Sequence, residues 1–344
     1  MTTENAKRIS IAEAIRDALR EEMQRDESVF LMGQDVGTTP GGWGGPFTTC
    51  KGLVEEFGRE RVRNAPISEK AIVGASVGAA MLGMRPVCEI QYSDFIFCCM
   101  DELINIAAKM RSMSAGAYSV PMVFRAPTGA SQRGAQHAQS PEAFMMHVPG
   151  VKVVCPATPY DAKGLLKSAI RDDSPVMFFE HKLLYGGMGG HRKDAVNPVF
   201  DRDIPDGELL IPIGKADVKR PGGDVTLVTL LRTVHMGLTA AARLAEEGVD
   251  VEVLDLRSLL PLDREAILAS VAKTGRLVIA EEDTRTLGWG AEVAATVAEE
   301  AFPHLKKPIR RVATMDVPIP FAPHLEAHVL PNEDKIIKAI KDIL

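Results

Sequence analysis

Residues 64–90, NAPISEKAIVGASVGAAMLGMRPVCEI, decide how the rest of the chain is read. After Lys70 the positions are Ala, Gly, Val, Ile, Ser, Met and Leu until Arg85. That run predicts a nearly charge-free, buried helix over about 68–83, followed by a strand, RPVCEIQ. A helix feeding directly into an apolar strand is one step of an α/β protein with mostly parallel sheets. One carboxylate, Glu69, stands at the head of the helix. A lone carboxylate on such a face is costly unless something pairs with it.

The same alternation extends in both directions. Ser10 and Glu13 form a capping box for a first helix to about residue 25, and SVFLMGQDV reads as the next strand. A glycine-rich loop covers 37–51. Past the central stretch, a helix over 94–113 precedes the strand VPMVFRA. The loop PTGASQRGAQHAQSPE, 127–142, is too long for a simple connector. GVKVVCPA and SPVMFFEH read as strands around a helix opened by Thr158, Pro159 and Asp161. Residues 186–223, rich in Gly, Pro and Asp, read as a linker between a first domain, 1–185, and a second α/β domain, 224–344. In the second, DVTLVTLL, VDVEVLDL, RLVIAEED and IRRVATMD predict strands, with helices at about 233–247, 263–273, 289–301 and 333–344.

Composition narrows the function. Of the 344 residues, 46% are hydrophobic and 25% charged, enough for ordinary cores, and the net charge is −6. Basic residues are dispersed, which argues against nucleic acid. No apolar run approaches membrane-spanning length, so no membrane partner is expected. Cysteines 50, 88, 98, 99 and 155 show neither a disulfide framework nor zinc spacing, which fits a reducing, cytoplasmic setting. GASVG, 74–78, spells G-x-S-x-G but lies within the predicted helix and not at a strand-to-helix turn, so no nucleophile elbow is indicated, and there is no P-loop. LGWGAEV, 287–293, lacks a third glycine and follows EED, whose charges would repel a pyrophosphate, so it reads as a structural turn. HLEAH, 324–328, has metal-like spacing but no obvious third ligand.

Three features remain: Glu69 with Ile67 and Ser68; Gln91-Tyr92-Ser93-Asp94-Phe95 leaving a strand; and His137 in GAQHAQS. In parallel sheets, ligands bind beyond the strand C-termini. Together these residues supply a carboxylate, an aromatic face and a proton-transferring imidazole. Read singly, each also has an ordinary explanation: a helix-dipole acid, a core phenylalanine and a loop histidine.

The strings PISE…VGAAMLGMRPVCEIQYSDF, HVPGVKVVCPATPYDAKGLLKSAIRDDSPVMFFEHKLLYG and VEVLDLRSLLPLD occur in that order, and over about 7–340 the chain resembles the β subunits of the thiamine-diphosphate-dependent 2-oxo acid dehydrogenases. That group includes the pyruvate, branched-chain 2-oxo acid and acetoin dehydrogenases. The resemblance implies a transketolase-like α/β fold, with a pyrimidine-binding domain and a smaller C-terminal domain. It implies that Glu69 hydrogen-bonds a ring nitrogen of the cofactor's aminopyrimidine and favours the tautomer that removes the thiazolium proton. Phe95 is then expected against that ring, with Ile67 and Gln91 nearby. His137 is expected near the substrate or the incoming lipoyl group, as a hydrogen-bond or proton donor. Ala138 departs from the family's usual serine there. The backbones of Met122, Ala169, Ile170, Asp172 and Ser174 match positions that hold potassium in the family. No GDG block is present. The diphosphate and its magnesium ion are therefore expected on an α subunit, in an α2β2 heterotetramer that serves a lipoyl acyltransferase core.

The expected reaction decarboxylates pyruvate or a branched-chain 2-oxo acid and passes the acyl group to lipoyl, and GGWGGPF leans toward cleavage of acetoin instead. A split transketolase, with Arg125 and Arg133 as phosphate ligands, and a noncatalytic scaffold are the rivals. Ala71, Gly74, Ala75, Gly78 and Ala79 give the 68–83 helix a small-residue face, for a partner or for packing within the domain.

Overall fold

The computed structural model describes residues 9–37, 43–186, 204–205 and 207–344. The tip of the glycine-rich loop, 38–42, and most of the linker, 187–203 and 206, lie outside the described residues. The chain forms two compact units. Residues up to Thr128 join His147–Ile213 in the first, and Gly129–Met146 join Gly214–Leu344 in the second.

In the first unit, helix α1 (Ile11–Arg25) opens on the capping box, with Ser10 Oγ accepting the Glu13 N–H at 3.2 Å. The order continues as β1 (Val29–Gln34), α2 (Leu53–Phe57), β2 (Val62–Ala65), α3 (Glu69–Met81), β3 (Arg85–Glu89), α4 (Met110–Met113) and β4 (Val123–Thr128). After α5 (Glu142–Met146), which belongs to the second unit, come β5 (Lys152–Val154), α6 (Pro159–Arg171) and β6 (Val176–His181). The strands lie in the order β5-β6-β4-β3-β1-β2. All pair in parallel. Their C-terminal ends, from Gln34 and Glu89 to Thr128 and His181, therefore share one edge. Both faces of the sheet are covered, which is why its strands read as continuous apolar runs. Ile15, Leu19, Leu165, Leu166 and Ile170 from α1 and α6 pack on Leu31, Val123, Val176 and Phe178 in one core.

The stretch read as one helix over 94–113 winds in three ways. Ser93–Cys99 is 3-10, Asp101–Ala107 is π, and α4 closes it. Buried Ser93, Ile96 and Cys99 recur every three residues, whereas Cys99, Leu103 and Ala107 recur every four. The backbone follows its buried stripe, and Phe95-Ile96-Phe97 are weak α-helix formers.

The glycine-rich loop is built by close approach. Gly44 has φ +66°, and a Cβ there would lie 2.1 Å from the Lys51 backbone nitrogen. Gly44→Ala is expected to cost about 2 kcal/mol through overpacking and a left-handed backbone. Urea denaturation of the purified chain measures it, and an unchanged midpoint would contradict this account.

The second unit has β7 (Asp217–Arg220), β8 (Val225–Thr229), α7 (Arg232–Ala245), β9 (Val251–Asp255), β10 (Ser258–Leu260), α8 (Arg264–Thr274), β11 (Leu277–Thr284), α9 (Trp289–Glu300), β12 (Arg310–Thr314), α10 (Pro323–Val329) and α11 (Glu333–Lys341). Its sheet runs β12-β11-β8-β9-β7. Only β7 is antiparallel to its neighbour. It falls where the sequence reads as linker because Asp217, Lys219 and Arg220 give it a charged, edge-strand composition. Helices α8 and α11 start on Asp263 and Asn332, whose side chains accept the Ala266 and Lys335 N–H groups at 3.2 and 2.9 Å. No described helix is long and apolar enough to cross a membrane.

Candidate active site

Glu69 begins α3, directly after β2. It is half-buried, and Gln34, the last residue of β1, donates its side-chain N–H to Glu69 Oε1 at 3.1 Å. Register explains the meeting: β1 and β2 are parallel neighbours with Gln34 opposite Ala65, so the β1 end and the start of α3 share the sheet edge. Gln34 is 6% exposed, and the sequence reading missed it. Its signal was a polar residue ending an apolar strand.

The neighbouring strand supplies the second group. Gln91 follows β3 and donates its side-chain N–H to Glu89 Oε1. Its own side-chain oxygen, Oε1, is buried and has no protein partner, and neither has Ser93 Oγ. Phe95 is half-buried on the 3-10 turn, with its N–H bonded to the Tyr92 carbonyl at 3.0 Å. Ile67 is 83% exposed, immediately before the helix. The first unit thus brings Ile67, Glu69, Gln91 and Phe95 to one edge and leaves a buried acceptor unsatisfied there. An acceptor without a donor costs free energy, and a ligand carrying an amino group would satisfy it.

Beneath this edge lies a buried charge network. Arg125, 1% exposed, donates to both Glu180 oxygens at 2.6 and 2.7 Å and to Glu89 Oε2 at 2.6 Å. The Tyr185 hydroxyl also donates to Glu180, and Thr49 to Glu89. Burial pushes Glu89 above the usual carboxylate range, opposed by Arg125 and reinforced by Glu180. Burial disfavours the Arg125 charge, but Glu180 and Glu89 outweigh it and hold the guanidinium well above its ordinary value. Arg125 is therefore committed inside the fold and is not a phosphate ligand. The Lys182 ammonium stands 5.0 Å over the Tyr92 ring nearby.

His137 lies in the second unit, at the end of a single 3-10 turn, Ala135–His137, that follows Gly134. It is half-buried. Ala138 is fully buried with Ala130, Ile319, Val329 and Leu330. Where the resemblance leads one to expect a hydroxyl, this chain places a methyl group in an apolar cluster.

The proposed potassium residues sit around the end of α6. The carbonyls of Ile170 and Asp172 both accept Arg85 Nη1 at 3.0 Å. The Met122 carbonyl accepts the Val176 N–H, and the Ala169 carbonyl accepts that of Asp172. The Ser174 N–H closes on the Asp172 carboxylate at 2.9 Å, and Lys152 pairs with the same group. The carbonyls of Met122, Ala169, Ile170 and Asp172 thus each accept an N–H of this chain.

Of the two remaining motifs, neither forms the site its spacing suggested. Gly290 donates its N–H to Glu281 Oε2 at 2.6 Å, and Arg311 pairs with the same carboxylate. The start of α9 therefore holds a side chain of this chain, and its glycines admit that side chain. In HLEAH, both histidines are exposed while Glu326 is buried. Among the described residues, no group of three or more His, Cys, Asp or Glu is placed to hold a metal. The cysteines are free thiols, and burial pushes Cys50 and Cys88 up to about 12, which keeps them protonated.

A parallel sheet with a carboxylate, an aromatic ring and an orphan acceptor at its C-terminal edge defines a ligand-binding α/β domain joined to a second α/β unit. Residues 7–188 match the model described as transketolase, pyrimidine binding domain, and 214–336 match transketolase, C-terminal domain. The chain is 44% identical to the 2-oxoisovalerate dehydrogenase subunit beta of Bacillus subtilis, over 97% of this chain and 98% of that protein. It is 43% identical to the pyruvate dehydrogenase E1 component subunit beta of Rickettsia felis, over 97% and 98%. It is also 43% identical to the acetoin:2,6-dichlorophenolindophenol oxidoreductase subunit beta of Bacillus subtilis, over 98% of each. A solved structure titled "Split gene transketolase, inactive beta4 tetramer" superposes with TM-score 0.78 at 25% identity, covering 98% of this chain and 99% of that one. The chain belongs to the family of E1 β subunits of the 2-oxo acid dehydrogenases.

Proposed function

We propose that this chain holds the aminopyrimidine half of thiamine diphosphate and, with an α subunit, decarboxylates a 2-oxo acid and passes the acyl group to a lipoyl acyltransferase. The carrying observation is the Gln34–Glu69 contact beside the orphan Gln91 oxygen at one sheet edge. The cofactor, when bound, supplies the nucleophilic carbon and the electron sink. Glu69 holds or shares a proton at the ring nitrogen, and Gln34 fixes one of its oxygens so that the other faces the ligand. Phe95 offers a face for the pyrimidine ring. The Gln91 oxygen accepts from its amino group, and Ile67 covers it. His137 donates a hydrogen bond or proton to the reacting acyl or lipoyl group.

The diphosphate and magnesium belong to the α subunit in an α2β2 assembly. Of the small-residue face, Ala71, Ala75 and Gly78 are exposed along α3, with nothing within 4 Å of a Cβ built on Gly78, whereas Gly74 and Ala79 are half-buried. Packing within the unit does not cover those three positions, which supports their use by a partner helix. Potassium at the end of α6 would share carbonyls of Met122, Ala169, Ile170, Asp172 and Ser174 that mostly serve internal donors already. The free thiols suit a reducing, cytoplasmic setting.

Acetoin is the second reading, because a relative named for it is as similar as those named for 2-oxo acids. The test is co-purification with an α-type subunit and assay with pyruvate, branched-chain 2-oxo acids and acetoin. Turnover is expected only in the complex, and the preferred substrate names the branch. Turnover by this chain alone, or a complex without affinity for thiamine diphosphate, would defeat the proposal.

A further inference from the structure

His137 stands on an excursion of the chain, residues 129–146, that clusters with the second unit. The excursion turns through the left-handed backbone region three times, at two glycines that enter it freely and at one residue that does not. Gly129 and Gly134 have φ of 83° and 82°, and Gln132, which carries a Cβ, sits at φ 58°. One such residue costs on the order of 1 kcal/mol and persists only where its surroundings hold it.

Carboxylates hold it here. The Gln132 N–H, at the strained residue itself, donates to Glu326 Oε2 at 2.8 Å. The Ala130 N–H donates to Glu282 Oε1 at 2.6 Å. Farther along, the Ala143 backbone bonds to Asp283. Between these points the Gly129 N–H closes on the Gln139 carbonyl at 3.0 Å, and the His137 N–H on the Gly134 carbonyl at 3.0 Å. The apolar side is fixed too: Ala130 and Ala138 are buried with Ile319, Val329 and Leu330. The imidazole is thus carried on a loop fastened on both sides of it.

We propose that Glu282, on β11, and Glu326, on α10, are positioning residues that orient His137 through the backbone amides of its loop. A group that delivers a proton must be held within a fraction of an ångström of its productive place, and a bond to a charged acceptor is among the strongest a backbone amide can make. The acid of HLEAH, and not its histidines, is then the functional member of that motif. The consequence for turnover rests on the reading of His137 given above, whereas the fastening of the loop does not.

Hydrogen exchange of the full-length chain, read by mass spectrometry over 129–139, tests the fastening. Glu326→Ala is expected to accelerate exchange there by roughly tenfold or more, the factor carried by one hydrogen bond to a charged group. Exchange in α6 should stay unchanged. Glu326→Gln keeps an acceptor oxygen and should restore much of the protection. Carbethoxylation of His137 by diethyl pyrocarbonate, mapped on the same variants, should quicken in parallel. In the α-subunit complex, Glu326→Ala should lower kcat with little change in the KM of the oxo acid. Glu282→Gln and Glu282→Ala supply the same comparison independently if Glu326→Ala does not fold. Unchanged exchange at 129–139 in the alanine variants overturns the proposal, as does faster exchange with kcat unaltered while His137→Ala is inactive. Full turnover by His137→Ala would instead strike down the proton-donor reading, leaving the exchange result to judge the fastening alone.

Discussion

Glu69→Gln is expected to lower turnover of the complex with an α subunit by roughly 100- to 10,000-fold, the range for losing a positioned acid–base group. Shape is nearly preserved. A glutamine at 69 still presents an oxygen to the Gln34 N–H, now 3.1 Å from Glu69 Oε1. It also leaves α3 intact, because the substitution removes no backbone group and the Ile72 N–H still bonds the Ser68 carbonyl. On the function proposed above, what disappears is the ability to hold or share a proton at the pyrimidine. Gel filtration with the α subunit and binding of thiamine diphosphate are therefore expected to stay close to wild type while kcat collapses. A scaffold subunit would lose nothing. Near-normal kcat in this variant would leave the scaffold reading standing and the catalytic one without its centre.

The largest effect on stability is expected at Arg125→Met. Glu89 and Glu180 then remain buried without their cation, and breaking a buried ion pair from one side costs about 3–5 kcal/mol. Methionine fills much of the volume, so the loss is electrostatic rather than a cavity. The pH dependence has a definite sign. Glu89 already has a folded-state pKa above its unfolded value, and removing Arg125 removes the interaction that opposed this. A carboxyl raised in this way favours the fold below its unfolded pKa, near pH 4. That contribution is lost as pH rises through the folded value. The deficit of Arg125→Met relative to wild type should therefore be larger at pH 8 than at pH 5. Urea midpoints at the two pH values measure it. A deficit under about 1 kcal/mol at pH 8 would show that the network is not held by its charges.

The sequence made much of this molecule visible, and the reasons are local. The Ser10–Glu13 box and the Thr158-Pro159-Asp161 start carry their helix boundaries in adjacent residues, and both helices begin there. Strands of the buried parallel sheet announce themselves as apolar runs. What stayed hidden depends on residues far apart in the chain. Gln34 and Glu69 are 35 positions apart and meet only because two strands pair in register. Arg125 was a candidate phosphate ligand for the rival transketolase reading, and nothing near it in the sequence shows that Glu89 and Glu180 close around it from neighbouring strands. β2 was missed because Arg63 and Asn64 are exposed between buried Val62 and Ala65, which erases the apolar signal. The turn at glycines 288 and 290 was legible from the preceding acids, but which of them the Gly290 N–H would bind, Glu281, was not.

The path of the backbone between the units has a practical meaning for anyone dividing this polypeptide. It changes allegiance at 128–129, returns at 146–147 and leaves again at 213–214, so no single cut yields two whole modules. A fragment ending near residue 213 would keep the histidine segment but not Glu282, Ile319, Glu326 or Leu330. It would expose Ala130 and Ala138 to solvent and free Gln132 to relax. Swapping C-terminal halves between relatives would in the same way exchange the seat of an imidazole encoded in the other half.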